Sequence, residues 1–451
     1  NVQFFNVITG EIYPASVDIL DGFVVLVREE GQEAVLPSKS YYDGQGRYLI
    51  PGYIDTHMHI ESTMMIPENL ARAILPWGTT TICTDPHEIG NVMGLDGVRF
   101  MLENAKKSKL RQYVLAPSCV PSLPGMENAG AEFFAREVGE LLDMDDVIGI
   151  AEIMDYVGVI HDSERMHTII DEGLRRGMFL QGHAPYCFGR ELAAYRIGGP
   201  VSDDVHAKDL LTVGHINNVV RKAVASGLDG REVVKMATFN AAREYGFDDL
   251  GAIAPGYIAD IQLVDALDGS RPKAVFTEGV LVAEDGKYLG GDCKTADYDL
   301  PNTVDLPQIT GPASFELRVP EDYTGDTIRV NVMVSEDGNR ILRHVEPVEL
   351  PVRDGVVDIS GDPTLVFVCC ANRYGRGGKT IAVYRDFGLR AGALASTISH
   401  DSHNFTVSYH DPKDAFRAAE ILRACGGGVC VIDGEQETHI ALPAAGLMSQ
   451  K

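Results

Sequence analysis

The chain has 451 residues, 45% of them hydrophobic, enough for a large buried core and for two or three domains, although a single barrel can itself take about 250 residues. It carries 39 basic against 65 acidic residues, a formal net charge of −26 with no Lys/Arg-rich stripe to offset it, which argues against a nucleic-acid partner. No run of about 18 apolar residues is present, and Asn1-Val2-Gln3-Phe4-Phe5 lacks the basic stretch and apolar core of a secretory signal, so neither a membrane span nor export is expected.

Residues 1 to about 48 read as short strands. Segments 17–20 and 23–27 flank Asp21-Gly22, a hairpin-turn dipeptide, and Gly44 and Gly46 close the section. From Leu49 the texture changes to strand–helix alternation. Residues 49–55 form an apolar strand, 67–75 have helical spacing, Gly78 interrupts, and 79–83 form the next strand. Segments 113–116, 147–151 and 178–181 repeat the pattern. Such alternation predicts a parallel sheet with crossover helices, either a (β/α)8 barrel or a doubly wound sheet. No GxGxxG or GxxxxGK[ST] follows any of these strands, which favours the barrel. Short strands return at 258–264, 274–277 and 279–283. A third section from about Leu300 is strand-rich, with one amphipathic helix over 412–424 stopped by Gly426-Gly427-Gly428. Eight cysteines, at 83, 119, 187, 293, 369, 370, 425 and 430, form no CxxC pair, and read as reduced, mostly buried thiols of a cytoplasmic protein.

The strongest chemical signal is Asp55-Thr56-His57-Met58-His59 at the end of the first barrel strand. Alternation along a strand turns His57 and His59 to one side and Met58 to the other, so two imidazoles can converge on one cation. A bare HxH equally fits two exposed loop histidines. Its place at a strand end, where barrel chemistry sits, favours the metal reading. Glu152 ends the strand at 147–151 and can bridge two cations, or simply face solvent. His183 follows 179–182 at another strand end, and its alternative is a core histidine bonded to a carbonyl. Asp203 offers a further carboxylate, with Asp204 as the better cap for the helix that follows. Histidine and carboxylate together suit zinc, manganese or iron. Asp85-Pro86-His87-Glu88 reads two ways: as a helix start close to a capping box, or as groups facing the mouth of the barrel. His400-Asp401-Ser402-His403-Asn404, dense in polar groups, read alone is a turn.

Taken together these residues resemble the adenine deaminase family of the amidohydrolase superfamily. The match runs through 51–62, Gly78-Thr79-Thr80-Thr81, Asp85 to Ile89, Ala116 to Pro121, Gly182-His183-Ala184-Pro185 and 251–260. The HxH and the 251–260 stretch are shared across the superfamily, whereas Asp85 to Glu88, the Ser118-Cys119-Val120-Pro121 loop and His400 to Asn404 are specific to the family. The resemblance implies a (β/α)8 metal-dependent hydrolase barrel over 49–252, a flanking β-sandwich built from 1–48 and 253–300, and an α+β C-terminal domain over 301–451. It implies that His57 and His59 bind one of two divalent metal ions, manganese or iron ahead of zinc, that Glu152 bridges, and that His183 binds the other. Asp203 is then both ligand and proton acceptor, with Glu88 or Asp85 as the acid that protonates the ring. Ser118, Cys119, His400, Asp401 and His403 are implied in binding a purine base. A purine-salvage role and a homodimer follow from the same likeness.

The chain departs from the family at Ile153-Met154-Asp155-Tyr156, where an Asn-Phe pair is expected, and at Asn372-Arg373-Tyr374, where an Arg-His pair is more usual. The alternatives are another amidohydrolase, a cyclic amidase or a deaminase of a different base, or an inactive relative that binds without turnover. The largest departure is a matter of length. Only 19 residues separate His183 from Asp203, none of them histidine. Each βαβ unit needs about 30 residues, so the last three strands and a sixth-strand ligand cannot fit. An interruption of the chain between about Tyr195 and Ser202 is expected.

Overall fold

The computed structural model describes all residues except 35–36, 184–200, 292–297, 337–338 and 451, and only the backbone of 336 and 339–343. Three sheets organise it. The first has eight strands in the order Lys287–Tyr288, Val280–Glu284, Ala274–Thr277, Ile261–Val264, Tyr48–Pro51, Val2–Phe5, Ile12–Leu20 and Phe23–Glu29. The two ends of the chain's first 290 residues therefore meet in one sheet, joined where Ile261 pairs with Pro51. The Asp21-Gly22 turn closes its last hairpin with both residues at positive φ, 50° and 87°, as a tight two-residue turn requires. The edge strand folds back, and Phe23 bridges Ile258. The flanking sandwich expected from sequence is this single folded sheet.

The apolar run 49–55 is two strands rather than one. Tyr48–Pro51 belongs to the eight-stranded sheet and Tyr53–Met58 to the barrel. Gly52 stands at the break, where a Cβ would collide with the Thr80 side chain on the neighbouring strand.

The second sheet is parallel, in the sequential order Tyr53–Met58, Thr79–Thr84, Arg111–Ala116, Val147–Ile153 and Phe179–Gly182. Its first two strands are buried at every residue, as expected of a sheet covered on both faces. Helices Pro67–Ile74, Leu95–Ala105, Ala135–Leu142 and Glu164–Arg176 form its crossovers, the last capped by the Ser163 hydroxyl and ended by Gly177 in the left-handed region. On the open side of Tyr53–Met58, Asp203 forms a parallel bridge with Met58. Among the described residues the wall thus holds five strands and the bridge at Asp203. The expected interruption near Tyr195 falls almost wholly on 184–200, outside the described residues.

The third sheet has nine strands between Thr327 and Ala441, with the helix Pro412–Cys425 packed on it. Leu365, Val383, Phe405, Val407, Ala418 and Leu422 are fully buried in their shared core. Asp411 caps the helix at Lys413 N, and Gly426 ends it at φ 80°. The loop carrying His400 to Asn404 leads into Phe405–Tyr409 and reaches the barrel: Ser402 Oγ donates to Glu127 at 2.9 Å, and Asn404 Nδ2 to Asn128 O at 3.1 Å.

Candidate metal centre and active site

The C-terminal ends of the parallel strands bring His57, His59, Asp85, Glu152, His183 and Asp203 together. His57 Nε2 and His59 Nε2 lie 3.1 Å apart, and each is 3.5 Å from Asp203 Oδ1. His59 Nε2 is 3.4 Å from Glu152 Oε1. Donors sitting about 2.1 Å from a shared cation are themselves roughly 3.0–3.5 Å apart, so this spacing is that of a ligand set. The other oxygen of Glu152 contacts His183 Nδ1, so the two carboxylate oxygens face different histidines. His59 is oriented by the Asp85 carbonyl, 3.0 Å from its Nδ1, the outer contact that fixes a ligand imidazole.

These donors fit a divalent cation at His57, His59 and Asp203, and His59, Asp85, His87 and Glu152 form a second group of possible ligands beside it. On the other side of Glu152, His183 meets its second carboxylate oxygen. The electrostatics agree. Burial opposes protonation of His59, yet the Asp203 and Glu152 carboxylates outweigh it and hold its pKa well above the usual value. Glu152 is pulled the other way: burial would raise it, but His183 and His59 hold it far below the carboxylate range. Asp203 is likewise held low by His57 and His59. A cation takes the place of the protons in such a cluster.

The Asp85-Pro86-His87-Glu88 stretch does not form a capping box. Asp85 Oδ1 accepts from His87 N at 3.1 Å, and the helix starts one residue later than the sequence suggested, at His87. Glu88 turns inward instead of back to the cap, because Ser62 Oγ lies 2.8 Å from its Oε1. Asp204 also departs from its expected role. Helix Ala207–Thr212 has no side-chain cap, and Asp204 Oδ1 sits 2.5 Å from the same Ser62 hydroxyl. One hydroxyl proton cannot serve two carboxylates, so one carboxyl in this chain keeps its own. Glu88 is that group: burial, then the neighbouring Glu61, push it up to about 8. His87, against Asp85, is raised to about 9 although burial opposes it.

Ser118 and Cys119 are buried beneath the site rather than open to it. Their side chains donate to the Glu152 carbonyl at 2.7 and 2.9 Å. His400 and His403 approach Glu88, each 3.7 Å from one of its oxygens, and Asp401 accepts from Ser122 at 3.3 Å. Burial lowers both histidines, His403 strongly, and neither of its ring nitrogens has a hydrogen-bond partner. Arg373, fully buried at the departure noted in the sequence, holds this loop by donating to His403 O at 2.5 Å and Ala445 O at 3.0 Å. The adjoining Tyr374 hydroxyl donates to Ser402 O at 2.5 Å. Sequence reasoning gave no role to Ser62 or Glu61, nor to a buried histidine, His215, that contacts Asp55 at 3.0 Å.

The amidohydrolase family matches residues 48–227 and 196–282, and the adenine deaminase C-terminal domain matches residues 340–451. A protein of Methanothermobacter thermautotrophicus named adenine deaminase is 37% identical over 494 positions, covering 99% of this chain and 87% of that protein. An adenine deaminase 2 of Carboxydothermus hydrogenoformans is 35% identical over 504 positions, covering 100% and 85%. Both alignments are longer than the 451 residues here, so the relatives carry positions with no counterpart in this chain. Among solved structures, an amidohydrolase from a Sargasso Sea environmental sample gives a TM-score of 0.49 at 16% identity, over 63% of this chain and 90% of that one. The full-length identities and the family matches agree: the chain belongs to the adenine deaminase family of the amidohydrolases.

Proposed function

We propose that this chain hydrolyses the exocyclic C–N bond of adenine, giving hypoxanthine and ammonia. The observation that carries the reading is the convergence of His57, His59 and Asp203 at the strand ends, with a second carboxyl, Glu88, set against Ser62, His400 and His403. Asp203 is held ionised by His57 and His59, and Glu88 is held protonated to about 8. Environments that push two acids apart in this way provide a proton acceptor and a proton donor together. The names of the full-length relatives supply the substrate.

Two divalent cations, manganese or iron ahead of zinc, would be held by His57, His59 and Asp203 at one position and His183 at the other, with Glu152 between, and when bound they acidify a water toward neutral pKa. Asp203 accepts the proton of the attacking water and delivers it to the departing ammonia. Glu88 holds a proton toward a ring nitrogen. Asp85 orients His87 and His59. His400, Asp401 and His403 contact the base, while Ser118 and Cys119 fix the Glu152 backbone beneath it.

The domain reading that accompanies this places the barrel in 49–252, its flanking sheet in 1–48 and 253–300, and the family-specific domain in 301–451. The two-piece family match and the longer alignments are in keeping with an interruption between about Tyr195 and Ser202, where a sixth-strand ligand would belong. The net charge of −26 supports a free base rather than a polynucleotide as substrate. No helix among the described residues is long and apolar enough to cross a membrane, and the six described cysteines are free, in keeping with a cytoplasmic role in purine salvage as a homodimer. The test is ammonia release from a panel of bases and cyclic amides by the manganese-loaded protein. Release from adenine supports the reading, and opening of a cyclic amide without action on adenine replaces it with a different amidohydrolase.

A further inference from the structure

Asp203 occupies an unusual position for a ligand. Its side chain is half exposed, and its backbone sits in the left-handed region at φ 56°, which costs a non-glycine residue free energy unless its surroundings impose it. Packing of the side chain does not hold the carboxylate near the histidines, so the backbone must. That backbone is tied to the first barrel strand at two levels. Asp203 N donates to His57 O at 3.2 Å, and His59 N to Asp203 O at 3.3 Å. One residue earlier, Ser202 N donates to Asp55 Oδ1 at 3.2 Å, and the same oxygen accepts from His57 N at 3.2 Å. A single carboxylate oxygen thus clasps the segment carrying Asp203 to the segment carrying His57.

Behind that clasp lies His215. Its Nε2 is 3.0 Å from Asp55 Oδ2, with both side chains fully buried, and 3.1 Å from Ser202 Oγ. Its Nδ1 is 2.9 Å from Thr79 Oγ1. With the proton on Nε2, the ring is satisfied at both ends: the Thr79 hydroxyl donates to Nδ1, and Nε2–H turns to Ser202 and Asp55. The Asp55 contact is off the line of a straight hydrogen bond, so it acts mainly as charge against dipole. The backbone of His215 is itself anchored, donating to Asn217 Oδ1 at 2.8 Å, and Asn217 Nδ2 donates to Gly269 O at 3.1 Å.

We infer that His215 is a positioning residue of the metal centre, acting through Asp55 and Ser202 to hold the Asp203 carboxylate against His57 and His59. It touches neither substrate nor cation. The inference rests on the reading of His57, His59 and Asp203 as ligands, and it does not depend on which base is turned over. Residues that orient ligands in this way characteristically change metal affinity or activity by about 10–100-fold when removed.

The test compares wild type, His215→Ala and His215→Gln, each loaded with Mn2+, by the rate of Mn2+ release into excess EDTA and by kcat and KM for adenine. The Gln amide can accept from Thr79 and donate toward Ser202, as the imidazole does. His215→Ala should release Mn2+ about 10–100-fold faster and lose kcat by a similar factor, with KM within about twofold, and His215→Gln should recover most of both. Release at the wild-type rate from a folded His215→Ala variant, or a rise in KM alone, overturns the inference. Should that variant not fold, Thr79→Val keeps the ring but removes its donor. A smaller acceleration of release is then expected, and unchanged release overturns the role. A wild-type chain that retains no Mn2+ overturns instead the metal reading on which the inference rests.

Discussion

His57 Nε2 lies 3.1 Å from His59 Nε2, and Asp203 Oδ1 completes a near-equilateral triangle with them at 3.5 Å to each. Three potential donors converge there, which is the arrangement a cation resolves. His57→Ala and His59→Ala should therefore lose metal and turnover together. Metal content by elemental analysis of protein grown with manganese or iron is expected to exceed one ion per chain in wild type and to fall in both variants. Full activity in metal-free protein contradicts this.

Asp203→Asn separates ligation from proton transfer. An amide oxygen still reaches a cation but cannot accept a proton. The variant should keep most of its metal while kcat falls by about 10²–10⁴-fold. A variant that retains most of its rate assigns the proton to another group.

Glu88 gives a pH dependence with a definite sign. Its pKa rises from the ordinary 4.5 to about 8 on folding, so between those values the folded chain holds a proton that the unfolded chain has released. Its contribution to stability is full below about 4.5 and is lost as pH rises through about 8, with a total on the order of a few kcal/mol. Melting temperature should fall more for wild type than for Glu88→Gln between about pH 6 and about pH 9. Activity that needs the acid form should decline over the same range. Equal falls in melting temperature for the two proteins would show that Glu88 carries no such proton.

Much of the site was legible because strand geometry makes it so. The alternation of His57, Met58 and His59 fixes which side chains share a face, and Glu152 and His183 were found at strand ends by the same rule. Asp203 took its meaning from the family resemblance, and its bridge to Met58 shows the contact behind it. What sequence could not show is made by long-range packing. His215 follows Asp203 by twelve positions, and nothing in Gly214-His215-Ile216 signals a contact with Asp55, 160 positions away. Ser62 looks like an ordinary residue after the HxH motif until the fold places Glu88 and Asp204 on either side of it. Local propensity told only part of the story. Asp85 to Glu88 has the composition of a helix cap, and a helix does start at His87, but Glu88 turns to Ser62 instead of back to the cap. The run 49–55 looked continuous because alternation cannot report that Gly52 passes the chain from one sheet to another.

On the proposed reading His400 and His403, each 3.7 Å from a Glu88 oxygen, close over the base and exclude a sugar. Adenosine should be a poor substrate beside adenine, with kcat/KM lower by at least about 10²-fold, the scale on which a closely fitted site rejects a misfit ligand. Comparable turnover of the two in a coupled ammonia assay would show that the site is open at the ribose side.

Most direct is the fate of oxygen and nitrogen during turnover. Manganese-loaded protein given adenine in heavy-oxygen water should release ammonia and hypoxanthine in equal amounts, with one solvent oxygen on the carbon that bore the amine. Absence of ammonia from adenine while a cyclic amide is opened, or hypoxanthine without the label, would contradict hydrolytic deamination of adenine by this chain.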